Sequence, residues 1–209
     1  MQAEFELLET MRVEASGSIL LLARHLARIS ASAQYFGYAC DVEGLRVGIL
    51  AEASKQSQAA AVRLLLARDG AYQLQIKPLP SGRISRLIRA RGTVNSGDPL
   101  LYHKTTARGI YEQARAGCDP ETDVILVNER GEATETSILN IAVLRGDRWV
   151  TPKLSCGLLP GTMRAQLLEE GRIVEGVVRM DELAPGESIR CFNAVRGIFD
   201  IPFEDILAT

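Results

Sequence analysis

Three chemically distinct segments stand in a fixed order in the second half of the chain, and this order most constrains the fold. Lys104 lies between an apolar Leu-Leu-Tyr-His stretch and two threonines. Glu135 follows in a segment whose composition is typical of a strand, and Pro160-Gly161-Thr162 then opens a predicted helix. An amine, a carboxylate and a glycine turn therefore follow one another along the chain.

Together these groups suit the cofactor pyridoxal 5'-phosphate (PLP). A lysine partly withdrawn from water loses some preference for its charged form, which favours a Schiff base between Lys104 and the cofactor aldehyde. Glu135 would keep the pyridine nitrogen protonated, and the N–H groups of Thr162 and Met163 would bind the phosphate. Each residue also has a plainer interpretation, because most lysines and acids face water and many helices begin after Pro-Gly.

Composition limits the classes of function. Lysines and arginines are scattered along the 209 residues and the formal net charge is −2, so no nucleic-acid partner is predicted. The four cysteines are far apart and only two histidines are present, so no metal site is predicted. Because the N-terminus is acidic and the apolar runs are short, we expect a cytoplasmic protein with no membrane segment.

Hydrophobic periodicity predicts an α+β fold. Apolar residues three and four positions apart predict a helix over 20–36, and a second helix is expected over 41–53. A strand over 5–13 and a hairpin around Asp69-Gly70 complete the first part. Further elements are predicted in the second part, with helices over 105–116 and 161–170 and strands over 124–128, 137–144, 148–151, 189–192 and 199–202.

A change of composition divides the chain into two predicted domains. Residues 93–99 are polar and glycine-rich, which is typical of a linker. We therefore expect a small N-terminal domain over 1–92 and a larger, β-rich C-terminal domain over 100–209. The second of these would contain both Lys104 and Glu135.

Two more segments contain candidate phosphate contacts. Arg28 is either an ordinary surface residue of the first helix or a phosphate contact, for which guanidinium geometry is well suited. His25, three residues earlier, is expected to pack or cap rather than to catalyse. The loop 193–197 either connects two strands only or also offers N–H groups to a phosphate, with Ala194 and Val195 the best candidates.

With these residues in place, the chain resembles the fold-type IV PLP enzymes over nearly its whole length. That group contains the branched-chain and D-amino acid aminotransferases and aminodeoxychorismate lyase. Within it, the chain is most similar to the lyase domain fused behind para-aminobenzoate synthase component I. The segments that carry this likeness are Leu8-Glu9-Thr10-Met11-Arg12-Val13-Glu14, Tyr102-His103-Lys104-Thr105-Thr106, Leu154 to Arg164, and Asn193-Ala194-Val195-Arg196-Gly197.

The resemblance implies a two-domain α+β fold like that of D-amino acid aminotransferase, with PLP as cofactor and a homodimer as the assembly. Lys104 matches the Schiff-base lysine, and Glu135 matches the acid at the pyridine nitrogen. The positions that match phosphate contacts are Arg28, Thr162, Met163, Ala194 and Val195. The positions expected to contact substrate are Thr10, Arg108 and Arg196.

The implied reaction converts 4-amino-4-deoxychorismate to 4-aminobenzoate and pyruvate in the folate pathway, with synthase component I as a possible partner. One alternative is an aminotransferase acting on branched-chain or D-amino acids. Thr136 and Ile138 favour the lyase, since aminotransferases often have glycine and arginine there. Another alternative is a non-catalytic protein of this fold, because the family's early tyrosine and Gly-Asp-Gly segment have no counterpart before Glu9.

Overall fold

The computed structural model describes residues 5–207, and contacts divide the chain into two compact units. The first unit comprises the chain up to Pro80, His103–Ala107 and Ala194–Arg196, and the second comprises Ser81–Tyr102, Arg108–Asn193 and the described residues from Gly197 onward. The domain boundary expected at 93–99 stays a prediction. Part of the acidic N-terminus considered above, residues 1–4, lies outside the described residues. Among residues 5–207, no helix has both the length and the apolar composition needed to cross a lipid bilayer.

The first unit is a three-stranded antiparallel sheet with two helices packed on it. β1 (Leu7–Val13), β2 (Ala60–Leu66) and β3 (Tyr72–Pro78) are hydrogen-bonded in that order. The first helix, α1 (Leu22–Phe36), contacts β1, and α2 (Val42–Ala53) contacts β3. Their apolar faces form one core, which includes Leu7, Met11, Ile29, Ile49 and Leu64.

Sequence signals predicted these elements closely. The helix predicted over 20–36 is α1, and Gly37 ends it with a φ of 70°. The hairpin turn contains Gly70, whose φ is 91°. Both glycines adopt a left-handed conformation that side-chain-bearing residues rarely take, which is why they are reliable stop and turn signals. Asp41 begins α2 by accepting a hydrogen bond from the N–H of Gly44.

The second unit is built on an eight-stranded mixed sheet and two short helices. The strands are β4 (Arg86–Arg89), β5 (Thr122–Val127), β6 (Ala133–Thr136), β7 (Asn140–Arg145), β8 (Arg148–Pro152), β9 (Val174–Gly176), β10 (Ser188–Asn193) and β11 (Gly197–Leu207). Their order in the sheet is β6-β5-β4-β11-β10-β7-β8-β9. The helices are α3 (Gly109–Ala114) and α4 (Thr162–Glu169). One core includes Leu87, Ile125, Ile141, Ile189 and Phe203, and another includes Ile88, Leu101, Val124 and Leu126.

The helix predicted just after Lys104 begins later than expected, at Gly109. Thr105 instead forms an antiparallel bridge with Leu7. The N–H of Leu8 donates to the carbonyl of Lys104 at 2.9 Å. Strand-like pairing with β1 therefore takes the backbone groups that the first helical turn would have used.

The strand predicted over 137–144 is β7, which begins three residues later than expected, at Asn140, because a tight turn joins it to β6. The hydroxyl oxygen of Thr136 accepts a hydrogen bond from the N–H of Leu139 at 2.9 Å, which stabilises this turn. Sequence patterns missed β4 and β9, which have four and three residues and are too short to show a period.

The core of the second unit yields a test of the fold. Phe203 is fully buried, so Phe203→Ala leaves a cavity and should lower the free energy of unfolding by about 3–5 kcal/mol. Leu144→Ala, at a side chain that is 46% exposed, should change it by less than about 0.5 kcal/mol. Denaturant titrations measure both values, and similar losses in the two variants would contradict this packing.

Candidate active site

In the first unit, a buried ion pair joins β1 to α1. Glu9 is 1% exposed and accepts hydrogen bonds from Arg28, with Nε to Oε1 at 2.7 Å and Nη2 to Oε2 at 2.6 Å. His25 Nδ1 lies 2.7 Å from the same Oε2 atom. Because the Arg28 side chain is only 11% exposed, an ordinary surface position for it is excluded. His25 packs against the carboxylate.

Glu9 is ionised at neutral pH. Burial opposes the charge, but the positive charge of Arg28 and the contact with His25 outweigh it and lower the pKa of Glu9 to about 2. Two parallel hydrogen bonds to a charged oxygen pair fix the plane of a guanidinium. The contact engages the Nε–Nη2 edge of Arg28, so Nη1 lies at the opposite edge of that plane.

Lys104 is half-buried beside β1, and its carbonyl accepts the N–H of Leu8. Thr10 follows Leu8 by two residues, and side chains at this spacing project from the same face of a strand. The structure thus brings the backbone of Lys104 to the strand that carries Thr10. Both residues were predicted to belong to the site.

His103 anchors the segment that precedes Lys104. Its Nδ1 lies 2.9 Å from the hydroxyl oxygen of Ser32, which is buried on α1. Its ring stacks on Tyr35, with 4.5 Å between centroids, and meets the edge of Phe36 at 4.8 Å. Burial lowers the pKa of His103, so a neutral ring is favoured. These contacts hold the chain next to Lys104 against α1.

The late loop predicted to bind phosphate is the tight turn between β10 and β11. Asn193 and Gly197 are paired across it. Ala194 is buried, whereas Val195 and Arg196 are half-buried. The phosphate role of Ala194 and Val195 and the substrate role of Arg196 stay predictions.

In the second unit, Glu135 is a buried carboxylate held by donors from three parts of the chain. It is 5% exposed and lies on β6. Its Oε1 accepts hydrogen bonds from the hydroxyl of Tyr111 at 2.9 Å and from the N–H of Leu159 at 3.1 Å. Its Oε2 accepts a hydrogen bond from Nδ2 of Asn140 at 3.1 Å. Three donors fix the orientation of the acid.

Asn140 connects Glu135 to the glycine turn. Its Nδ2 also donates to the carbonyl of Leu159, at 3.0 Å. Its Oδ1 lies so close to Gly161 that a Cβ at that position would stand 1.9 Å away. A larger residue at position 161 would therefore displace the Asn140 amide from its hydrogen bonds, and the predicted acid and the predicted phosphate turn form one hydrogen-bonded cluster.

Tyr111 links the same cluster to Arg108. The guanidinium carbon of Arg108 lies 4.6 Å from the centroid of the Tyr111 ring, a cation–π contact. Nη2 of Arg108 donates a hydrogen bond to the carbonyl of Ser137 at 2.6 Å. Burial and the negative charge of Glu135 raise the pKa of Tyr111, so the hydroxyl keeps its proton and remains a donor.

Thr162 and Met163 are the first residues of α4, and both are buried. N–H groups of a first helical turn have no acceptor inside the helix, and Gly161 has no side chain with which to cap them. The helix dipole further favours an anion at this end. Arg164 fixes the helix start by donating to the carbonyl of Pro152 at 2.8 Å and to Glu175 at 2.5 Å.

Sequence analysis missed the roles of Glu9, Tyr111 and Asn140. A signal existed for Glu9, because it lies two residues from both Leu7 and Met11. Side chains at this spacing share one face of a strand, and here that face is the core face. Tyr111 follows Arg108 by three residues, a spacing at which helical side chains meet. No local signal assigns a role to Asn140.

Comparison with known proteins adds the family. The model of the family described as amino-transferase class IV matches residues 6–202. The chain belongs to this family. The predictions of a fold-type IV α+β architecture and of a PLP-dependent enzyme are therefore confirmed.

Individual relatives carry two different names. A Schizosaccharomyces pombe protein, provisionally named an aminodeoxychorismate lyase, is 35% identical over 192 residues, which cover 87% of this chain and 83% of that protein. A Mesorhizobium loti structure, provisionally named an amino-acid aminotransferase, is 37% identical with a TM-score of 0.86, covering 97% of this chain and all of that one. A Pseudomonas aeruginosa 4-amino-4-deoxychorismate lyase structure is 23% identical with a TM-score of 0.81, covering 97% and 85%. The last likeness shows the fold alone.

The residues described above fit PLP. A buried carboxylate at Glu135, held in place by three hydrogen-bond donors, suits a protonated ring nitrogen. The start of α4 behind Gly161 suits a phosphate group. An amine at Lys104, half withdrawn from water, suits a reactive aldehyde.

The Glu135 cluster yields a test of its hydrogen bonding. Tyr111→Phe removes one donor to a buried carboxylate and should lower the free energy of unfolding by about 1.5–3 kcal/mol. Tyr35→Phe removes a hydroxyl from a residue that is 60% exposed and should change it by less than about 0.5 kcal/mol. Chemical denaturation compares the two, and an unaffected Tyr111 variant would refute the contact.

Glu9 should make stability depend on pH in acid. Its pKa falls from 4.5 to about 2 on folding, so its contribution is complete above the unfolded pKa and disappears as pH falls through the folded pKa. Between about pH 5 and about pH 2, the natural chain should lose about 3 kcal/mol more than Glu9→Gln, which cannot titrate there. Parallel pH series of denaturant unfolding measure the difference. Identical pH dependence in the two proteins would argue against the buried ion pair.

Proposed function

We propose that this chain binds PLP and converts 4-amino-4-deoxychorismate to 4-aminobenzoate and pyruvate, a step of folate synthesis. The observation that carries the proposal is the cluster around Glu135, which combines a firmly hydrogen-bonded acid for the ring nitrogen with Arg108 stacked on Tyr111. Within residues 5–207, Arg108 forms no ion pair with a carboxylate, and the substrate has two carboxylates. The name of the Schizosaccharomyces pombe relative also favours this activity.

Six further residues would join Glu135 in holding the cofactor. Lys104 would bind it covalently through Nζ. Contacts with the phosphate would come from Arg28, Thr162, Met163, Ala194 and Val195. When bound, PLP supplies an aldehyde that takes up the substrate amine and a ring that withdraws electrons from the adjacent carbon.

The chain's own residues would then move one proton and hold the charges. Nζ of Lys104, released when the substrate amine takes its place on the cofactor, would take the proton from the ring carbon that carries the amine. The bond from the neighbouring carbon to the enol oxygen breaks, the ring becomes aromatic, and the same proton goes to the leaving group, which becomes pyruvate. Arg108 would bind a substrate carboxylate, with Thr10 and Arg196 as further contacts. The atoms and electrons of this elimination balance without any other reactant.

An aminotransferase is the second candidate, and the name of the Mesorhizobium loti structure favours it. Such an enzyme would convert PLP to its amine form when mixed with a branched-chain or D-amino acid, with a keto acid appearing. The lyase would instead form 4-aminobenzoate from 4-amino-4-deoxychorismate without a second substrate. A purified protein that stays colourless and takes up no added PLP would be the non-catalytic alternative.

The role of Lys104 can be tested directly. Borohydride reduction of the PLP-loaded protein should attach the cofactor irreversibly to the peptide that contains Lys104, as mass spectrometry would detect. Lys104→Ala should show no such attachment and no formation of 4-aminobenzoate. Lys55→Ala, at an exposed lysine two residues after the end of α2, should match the natural protein in both assays. Labelling at another lysine would refute the assignment.

The assembly and location implied by the resemblance are proposals as well. A homodimer, an association with para-aminobenzoate synthase component I and a cytoplasmic location all fit a small-molecule enzyme of this family. Light scattering of the purified chain, alone and mixed with the synthase component, would test the first two.

A further inference from the structure

Glu9 is a buried carboxylate that the proposed reaction does not use. It touches two basic residues of α1, Arg28 and His25, through three contacts of 2.6–2.7 Å. Burying an acid this completely is unfavourable unless its partners are held in good geometry. An apolar residue on the core face of β1 would pack there without that demand.

The geometry of the contact determines what Arg28 offers to other groups. Both bonds to Glu9 use the Nε–Nη2 edge, so the guanidinium plane and its remaining edge have one fixed orientation. Because Glu9 also offsets the charge of Arg28, the arginine would act on an anion mainly through oriented N–H groups. His25 supports the carboxylate from the same helix, three residues before Arg28.

We propose that Glu9 is a positioning residue for phosphate recognition, which holds the guanidinium plane of Arg28 in the orientation in which it donates to the cofactor phosphate. The inference rests on the proposed function, because it takes Arg28 as a phosphate contact. Glu9 itself does not touch the cofactor. It acts by removing alternative orientations of the arginine before the cofactor arrives.

The test compares two forms of the cofactor that differ only in the phosphate. PLP and pyridoxal are titrated into the purified protein and followed by absorbance. Glu9→Gln should weaken PLP binding by about 10- to 100-fold and change pyridoxal binding by less than about twofold. A purely structural role would weaken both to the same extent, and that result would overturn the proposal.

Glu14→Gln is the matched control. Glu14 also pairs with an arginine, Arg12, at 2.6 Å, but the two side chains are 34% (Arg12) and 42% (Glu14) exposed rather than buried. This variant should keep the affinities of the natural protein for PLP and pyridoxal. A loss of PLP affinity equal to that of Glu9→Gln would mean that general charge explains the effect, and would overturn the proposal.

A double-mutant cycle tests whether Glu9 acts through Arg28. Lysine cannot form the two-bond contact, so Glu9→Gln should have little further effect on PLP affinity in an Arg28→Lys background. Additive losses would overturn the proposal. Glu9→Asp keeps the charge but shortens the side chain, so it should lose less PLP affinity than Glu9→Gln while its pyridoxal affinity stays unchanged. If Glu9→Gln does not fold, this variant provides the test. A natural protein that binds no PLP would instead overturn the proposed function.

Discussion

The buried carboxylate of Glu135 organises the second unit around its chemistry. An acid with 5% exposure needs hydrogen-bond donors, and these come from α3, from the start of β7 and from the turn before α4. Satisfying one side chain therefore brings together Tyr111, Asn140 and the glycine turn. The same contacts stack Arg108 over Tyr111, so the positions of several candidate residues depend on this one acid.

The first unit repeats this principle with Glu9. Its carboxylate is satisfied by Arg28 and His25, and it ties β1 to α1. In both units a buried acid orients the groups expected to meet a ligand, the glycine turn in one and Arg28 in the other. Prearranged groups lose less entropy on binding, which is a physical reason for retaining buried charge at such positions.

Local sequence patterns predicted the helices, strands and turns whose formation depends on neighbouring residues. The period of α1 and the turn at Gly70 identify the elements of the first unit, and the segment of Glu135 is a strand. The conformation at Lys104 was not predictable in this way, because it is set by pairing with a strand about a hundred residues earlier. The family resemblance pointed to Lys104 and Glu135, whereas the contacts of Asn140 arise only when separate elements pack together.

The central claim is that the fixed carboxylate of Glu135 keeps the ring nitrogen of PLP protonated. Nitrogen-15 NMR of protein loaded with ring-labelled cofactor measures that proton directly, because the chemical shift of a pyridine nitrogen changes greatly on protonation. The account predicts a protonated nitrogen in the natural protein at neutral pH and an unprotonated one in Glu135→Gln. The same chemical shift in both proteins would contradict it.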